Sequence, residues 1–299
     1  MDLFPFSLTR PILDIRMGIL TLREKLPALA KQISHPWDII RHNAQAIADD
    51  FALLTKDRTS QPIPPPVQSI RPANIFIEAG AILNYCTLNA SAGPIYIGRN
   101  AEVMEGSLIR GPFALCEGAV VKMGAKMYGA TTIGPYSTVG GEIKNSVIFG
   151  YSNKGHDGYL GDSVIGEWCN LGAGTSNSNL KNNAGEVKVW SPSRSAFIAA
   201  GAKCGLFMGD YSRSAINTSF NTGTVVGVCC NVFGDGAGGV GIPGALTPKF
   251  IPSFSWGFVA KYDFDKAIRD IGNWKALKGQ TLTDPEIQTL KRIYEADQS

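Results

Sequence analysis

The sequence predicts an all-β chain, a left-handed parallel β-helix of hexapeptide repeats with short helical extensions at both ends. Three observations carry this. Every sixth residue from Ile97 is apolar, through Val103, Ile109, Leu115, Val121, Met127, Ile133 and Val139. Two residues before these sites stand Ala101, Ser107, Ala119, Ala125, Thr131 and Ser137, a small series broken only by Phe113. Three residues after them stand the turn formers Asn100, Gly106, Pro112, Gly118 and Gly124.

One large inward aliphatic, one small inward residue and one turn former per six residues describe a short strand followed by a sharp corner. Three such units close a triangular coil, and coils stack at about the 4.8 Å strand spacing, so the aliphatics become a continuous core. A period of six excludes an amphipathic helix, and a β-sandwich would place its hairpin turns at irregular spacing. The register returns at Ile165 and Leu171, and more loosely at Ile198, Cys204, Ile216 and Val228. Its loss between Val139 and Ile165 predicts an insertion or loop near residues 144–162. Coil faces about 20 Å wide, from six residues at about 3.3 Å each, favour packing around a threefold axis, so a homotrimer is expected.

The flanks read differently. Trp37, Ile40, Ala44, Ile47, Phe51 and Leu54 fall at three- and four-residue steps behind Pro36, which predicts an amphipathic helix from Pro36 to about Leu54. The run Gln61-Pro62-Ile63-Pro64-Pro65-Pro66 is a stiff linker. Thr283-Asp284-Pro285-Glu286 has capping-box spacing, with Ile287, Leu290, Ile293 and Tyr294 on one face beyond it. The predicted division is a helical extension and linker over 1–66, the β-helix over 67–258 and a helical tail over 259–299.

Composition excludes several classes of function. The formal charge of +3 is dispersed without a long basic run, which argues against nucleic acid. No apolar run reaches membrane-spanning length, and the start, with Asp2 and Pro5, lacks the basic and apolar regions of a signal peptide. Cys86, Cys116, Cys169, Cys204, Cys229 and Cys230 lack the paired spacing of a zinc site and read as buried reduced thiols. A soluble cytoplasmic protein with no membrane partner and no structural metal is expected.

The chemistry gathers in Gly155-His156-Asp157-Gly158-Tyr159-Leu160-Gly161-Asp162, continuing through Ile165-Gly166, Asn170 and Gly172-Ala173-Gly174-Thr175. This run resembles the acetyltransferase motif of the GlmU-like family, the bifunctional N-acetylglucosamine-1-phosphate uridyltransferases/glucosamine-1-phosphate acetyltransferases. The resemblance extends without gaps back to Lys144, Glu142 and Lys126 and forward to Asn179. It implies a coenzyme A dependent N-acetyltransferase acting on an amino-sugar phosphate or nucleotide sugar, with acetyl-coenzyme A as co-substrate. His156 takes the place of the general base. Lys126, Glu142, Lys144, Tyr159, Asn170 and Asn179 take the place of substrate-binding residues, and the backbone at Ala173 and near Ala200 that of the coenzyme A site.

The residue types suit the task. Acyl transfer from a thioester to an amine needs a base for the amine proton and donors for the carbonyl oxyanion, and histidine titrates near neutrality. Each residue also has a plainer role open to it: His156 in a surface loop, Lys126 and Lys144 solvating an outer face, Tyr159 at a subunit seam, Asn170 in an amide ladder along the coil.

The chain departs from the family pattern in three places. Lys126 stands where the family has arginine, which keeps the charge and loses the bidentate fork. Leu180 and Lys181 follow Asn179 where the family has a substrate-contacting tyrosine. The family's next lysine has no gap-free counterpart, Lys188 taking its place after a one-residue shift.

At the amino terminus, Leu8-Thr9-Arg10-Pro11-Ile12-Leu13-Asp14-Ile15-Arg16, Gly18-Ile19-Leu20-Thr21 and Glu24-Lys25 resemble the opening of sugar nucleotidyltransferases that carry this β-helix. About ten residues separate Lys25 from the helix at Pro36, too few for a βαβ unit, so no nucleotidyl transfer is expected. Two alternatives are weighed against the acyltransferase. One is a catalytically inactive β-helix that binds sugar nucleotides or scaffolds a separate nucleotidyltransferase. The other is a zinc hydratase, disfavoured because only His156 of His35, His42 and His156 lies in the solenoid.

Overall fold

A computed structural model describes residues 2–25, 33–234, 246–258 and 260–296. Residues 26–32, between the amino-terminal motif and the first helix, and residue 259, where the tail is expected to begin, lie outside the described residues. The chain forms the left-handed parallel β-helix that the repeat predicts, with nine coils on its longest unbroken parallel face. Face 1 begins with Gln68–Ile70 and includes Lys126–Tyr128, Glu142–Lys144 and Tyr159–Gly161. Face 2 runs from Ile75–Ile77 to Phe250–Ile251, and face 3 from Ile82–Leu83 to Ser255–Trp256.

The apolar column is the core. Ile97, Val103, Ile109, Leu115, Val121, Met127, Ile133 and Val139 are all buried, as are the small residues Ala101, Ser107, Ala119, Ala125, Thr131 and Ser137. At the corners Asn100, Gly106, Gly118 and Gly124 take the left-handed conformation that the turn formers imply.

Two expectations need correction. No loop leaves the coil at 144–162: Glu142–Lys144, Val147–Ile148, Asn153–Lys154 and Tyr159–Gly161 continue the three faces in register. The phase slips because corners shorten. From Val139 the inward positions are Ile143, Ile148, Lys154, Leu160 and Ile165, and only two residues, Gly140 and Gly141, turn the corner between the strands ending at Val139 and beginning at Glu142. The excursion lies later. Val164 pairs with Phe207, so the chain leaves the coil after Asn179 and returns at Cys204, whose N–H donates to the Asn179 carbonyl. It carries a hairpin of Lys188–Ser191 and Ala196–Ala199.

The looser register also fails. Ile198 belongs to that hairpin and Ile216 is an exposed corner residue, while the interior resumes as Met208, Ser214, Phe220, Val226 and Val232.

Lys154 is the unexpected member of the column. In register with Val139 and 2% exposed, it donates from Nζ to the main-chain oxygen of His156 at 2.6 Å. Burial disfavours the charged amine and pulls its pKa down to about 8, with Asp157 the nearby charge that opposes the shift.

Face 2 is covered from outside. Its outward residues Phe76, Tyr96, Ala114, Val147, Val164, Phe207 and Val225 are buried against α1 (Pro36–Thr55) and the amino-terminal segment. The motif at 10–25 is anchored there by charge. Arg10 pairs with Glu167 at 3.0 Å and with Asp210. Lys25 pairs with Asp50 of α1 at 2.6 Å, and Asp50 also accepts from the N–H groups of Ile19 and Leu20. Gly18 has φ +79°, and a Cβ there would meet the Ala46 backbone at 2.8 Å.

The corner between faces 2 and 3 carries Tyr136, Tyr151, Trp168 and Tyr211 in the left-handed conformation. Tyr151 stacks on Tyr136 at 5.2 Å and on Trp168 at 4.4 Å. Helices α2 (Phe264–Ala276) and α3 (Asp284–Ala296) close over this corner through Lys275, which lies 5.0 Å from the Trp168 ring and pairs with Glu286. Half of the predicted capping box forms: Glu286 accepts from Thr283 N–H at 2.8 Å, while the Thr283 hydroxyl donates to the same carboxylate at 2.7 Å and does not cap the backbone.

Two outcomes follow. Asp50→Ala leaves Lys25 buried without its partner and should cost about 3–5 kcal/mol in chemical denaturation. For Lys154 the unfolded state holds its proton up to the ordinary lysine range while the folded state releases it near pH 8, so this group's contribution to stability rises with pH between the two. Wild type should therefore gain stability relative to Lys154→Met between pH 7 and pH 10, as read by paired thermal melts. A flat difference would refute the burial effect.

Candidate functional site

The two-residue corner creates the site. A coil strand alternates its side chains, so on face 1 Met127, Ile143 and Leu160 point inward and their neighbours outward. The strand pairing then stacks the outward residues into two columns. Lys126, Glu142 and Tyr159 form one, and Tyr128, Lys144 and Gly161 the other.

Four sequence-predicted residues thus share one face within three coils. Tyr128 Oη donates to Glu142 Oε1 at 2.5 Å, and that bond, with burial, pushes the phenol up to about 12. Lys144 Nζ lies 5.6 Å from the Tyr128 ring centroid. Asn179 joins them from the edge of the excursion, donating to Tyr159 Oη at 3.1 Å and to Asp162. Asn145 donates to the other Asp162 oxygen at 2.6 Å. Burial and the Asp162 carboxylate push the Tyr159 phenol up, keeping it protonated at neutral pH.

His156 sits on the corner 155–158 that leads into Tyr159, with its side chain exposed. This corner folds into the notch left by Gly140-Gly141. A Cβ on Gly141 would come within 2.9 Å of Asp157 Cα, His156 O and Gly158 O. Gly158 has φ +119°, which an L side chain rarely adopts. The next coil supports the corner from the other side, Gly174 N–H donating to Asp157 O at 3.1 Å. Ala173 lies on that supporting corner, and its own N–H makes no hydrogen bond among the described residues.

Two predicted residues lie elsewhere. Asn170 is on face 3, in an amide ladder with Asn153 that continues to Arg213. Ala200 is buried in the excursion, its carbonyl accepting from Arg41 of α1 at 3.1 Å. It therefore packs with the cover of face 2, across the coil from Ala173. Lys188 lies on the hairpin and Leu180 at its base, bridged to Lys203.

Sequence reasoning missed Tyr128, Asn145 and Asp162. Tyr128 was legible, because it stands two residues after Lys126 and outward positions alternate. Asp162 stood in the motif and needed only the question of what holds Asn179.

A family model described as sugar nucleotidyl transferase matches residues 1–32. Among curated proteins, the bifunctional protein GlmU of Methanocaldococcus jannaschii is 38% identical over 89 residues, 30% of this chain and 21% of that protein. The bifunctional sugar-1-phosphate nucleotidylyltransferase/acetyltransferase of Sulfurisphaera tokodaii is 39% identical over 93 residues, 31% of this chain and 23% of that one. Over that stretch the chain is similar to both proteins. The match spans about a fifth of the length of these two relatives. An uncharacterized acetyltransferase, YaiX of Escherichia coli, is 28% identical over 158 residues, 48% of this chain and 64% of that one. In this chain the segment matched as nucleotidyl transferase is occupied with anchoring: Arg10 and Lys25 are paired with carboxylates, and Arg16 donates to the Ile19 carbonyl.

The notch gives a controlled test. Gly124 turns a corner on the same edge with the same φ of +69° as Gly141, but a Cβ there meets nothing within 4 Å. Gly124→Ala should cost about 1 kcal/mol from backbone strain alone. Gly141→Ala should cost at least about 1 kcal/mol more, because backbone atoms must move, and equal losses in denaturation would refute the close fit of the His156 corner.

Proposed function

We propose that the chain is a coenzyme A dependent N-acyltransferase for an amino-sugar phosphate or nucleotide sugar, with His156 as general base. The observation that carries this is the His156 corner seated in the notch beside the column of Lys126, Glu142 and Tyr159. Lys126 and Lys144 offer positive charge to a phosphate on the outer face, and Glu142 and the Tyr159 phenol offer partners to sugar hydroxyls. The imidazole takes the proton from the sugar amine as its nitrogen attacks the thioester carbonyl. The tetrahedral oxygen needs a donor, and the unengaged Ala173 N–H lies on the adjoining corner. Collapse forms the amide and releases coenzyme A, the thiolate taking the proton back from the imidazolium.

Asn170 on face 3 supports a homotrimer in this reading, because a neighbouring copy's face 3 set against face 1 would bring the two groups together. Reduced buried cysteines fit a cytoplasmic setting, all six being buried and none in a disulfide. Among the described residues no helix is long and apolar enough to cross a membrane. The excursion that begins at Leu180, where the family pattern has a substrate-contacting tyrosine, favours a second reading: a catalytically inactive β-helix that binds sugar nucleotides or partners a separate nucleotidyltransferase.

A free-thiol assay with acetyl-coenzyme A and glucosamine-1-phosphate separates the two. His156→Ala should lower turnover about a hundred- to ten-thousand-fold while light scattering still shows a trimer. Thermal stabilisation by acetyl-coenzyme A without thiol release from any amino-sugar phosphate would favour the inactive reading. Retained turnover in His156→Ala would remove the base assignment.

A further inference from the structure

From Val139 to Leu171 the large inward positions of the coil are apolar except at Lys154. Val139 is its neighbour in register on one side, and the pairing of Asn153 with Asn170 sets Leu171 on the other. Its ammonium has three donors, and the acceptor it finds is the His156 carbonyl at 2.6 Å. An aliphatic side chain of similar length would fill this place without desolvating a charge. The lysine therefore weakens the core where it sits, and its one hydrogen bond runs to the residue whose imidazole the proposed reaction uses.

The corner it reaches has few other ties. Gly155 and Gly158 bracket it, both free of side chains that would pack it in place. From the next coil Asp157 O receives the Gly174 N–H, Tyr159 N–H donates to Ser176 Oγ at 3.1 Å, and from the coil below Glu142 N–H donates to Gly158 O at 3.2 Å. Between these bonds and the strand ending at Lys154, the His156 main chain is fixed from inside the solenoid by the lysine.

We propose that Lys154 is a positioning residue, whose side chain ties the His156 carbonyl from within the core and so sets the imidazole beside the Lys126, Glu142 and Tyr159 column. This rests on the reading of His156 as the base. The lysine touches no substrate and acts only through the corner.

The test replaces it with Lys154→Met, of similar length but without a donor, and with Lys154→Leu, which matches the neighbouring Leu160 and Leu171. Both should assemble like wild type and melt at the same or higher temperature at pH 7. Turnover should fall about 10- to 100-fold, the scale of a misplacement near 1 Å, with the KM for acetyl-coenzyme A within about twofold. The second readout is independent of turnover. His156 is one of three histidines, so its ring signals are resolvable by NMR. They and the amides of 155–158 should shift in both variants while those of His35 and His42 stay. Wild-type turnover in either folded variant overturns the proposal, and so do unmoved His156 signals. If the wild type transfers no acyl group, the base assignment fails by itself, and the NMR comparison alone decides whether the lysine holds the corner.

Discussion

Every feature of this molecule depends on the parallel stacking of one coil on the next. Each coil's main-chain donors and acceptors are satisfied by the coils above and below, so the register of one strand sets that of its neighbours along the face. The apolar column gives this ladder its free energy, since a fully buried aliphatic contributes about 1.5–3 kcal/mol and one recurs at nearly every third of a turn. A side chain on such a ladder is placed by all the coils beneath it. Residues far apart in sequence, such as Lys126 and Tyr159, become neighbours on one face without any dedicated contact between them.

A solenoid also has surfaces to close, and the flanking segments do this. The outward side of face 2 is as apolar as a core, with Val147, Val164, Phe207 and Val225 buried under α1 and the amino-terminal segment. Ion pairs fix that cover: the nearly buried pairs of Lys25 with Asp50 and Arg10 with Asp210, and a more exposed one of Arg10 with Glu167. A sequence that matches a sugar nucleotidyl transferase family thus works here as a clasp. At the neighbouring corner, stacked Tyr151 and Trp168 receive the carboxy-terminal helices. Among the described residues face 1 carries no such cover at Leu108, Lys126 or the His156 corner, and there the chemistry-bearing groups are found.

Much of this was legible in the sequence. The six-residue period named the fold because each repeat buries one aliphatic, and the α1 stripe named the helix. The apolar outward column of face 2 was also present, as the residues just before Ile77, Ile97, Leu115, Ile148 and Ile165, but its period is a whole coil and a six-residue reading passes over it. The phase slip after Val139 was visible and misread, since a shortened corner and an inserted loop break a register alike. Lys154 hid for a related reason, because a lysine is assigned to an outer face until the pairing puts it inward. Of the site, the motif singled out residues on both sides of the coil, and only the strand order separates Asn170 and Ala200 from the face that holds Lys126, Glu142, Lys144 and Tyr159.

The placement of His156 shows how a rigid repeat makes room for a reacting group. An inserted loop would carry its own conformational entropy and need its own packing to hold a geometry. Deleting two residues from one corner needs neither. The coil below retreats at Gly140-Gly141, the corner above settles into the space, and its main chain is held by the same kind of bonds that hold every other corner. The glycine at 141 is required by its φ of +69° and by the close approach of the His156 corner, so the notch is encoded by what is missing from the sequence. The extra cost is a buried amine at Lys154, small against a core this continuous and large enough to be removed were it without use. A site made by local shortening keeps the rigidity of the solenoid on both sides, which is the condition under which a base and a row of binding groups hold their relative positions through a reaction.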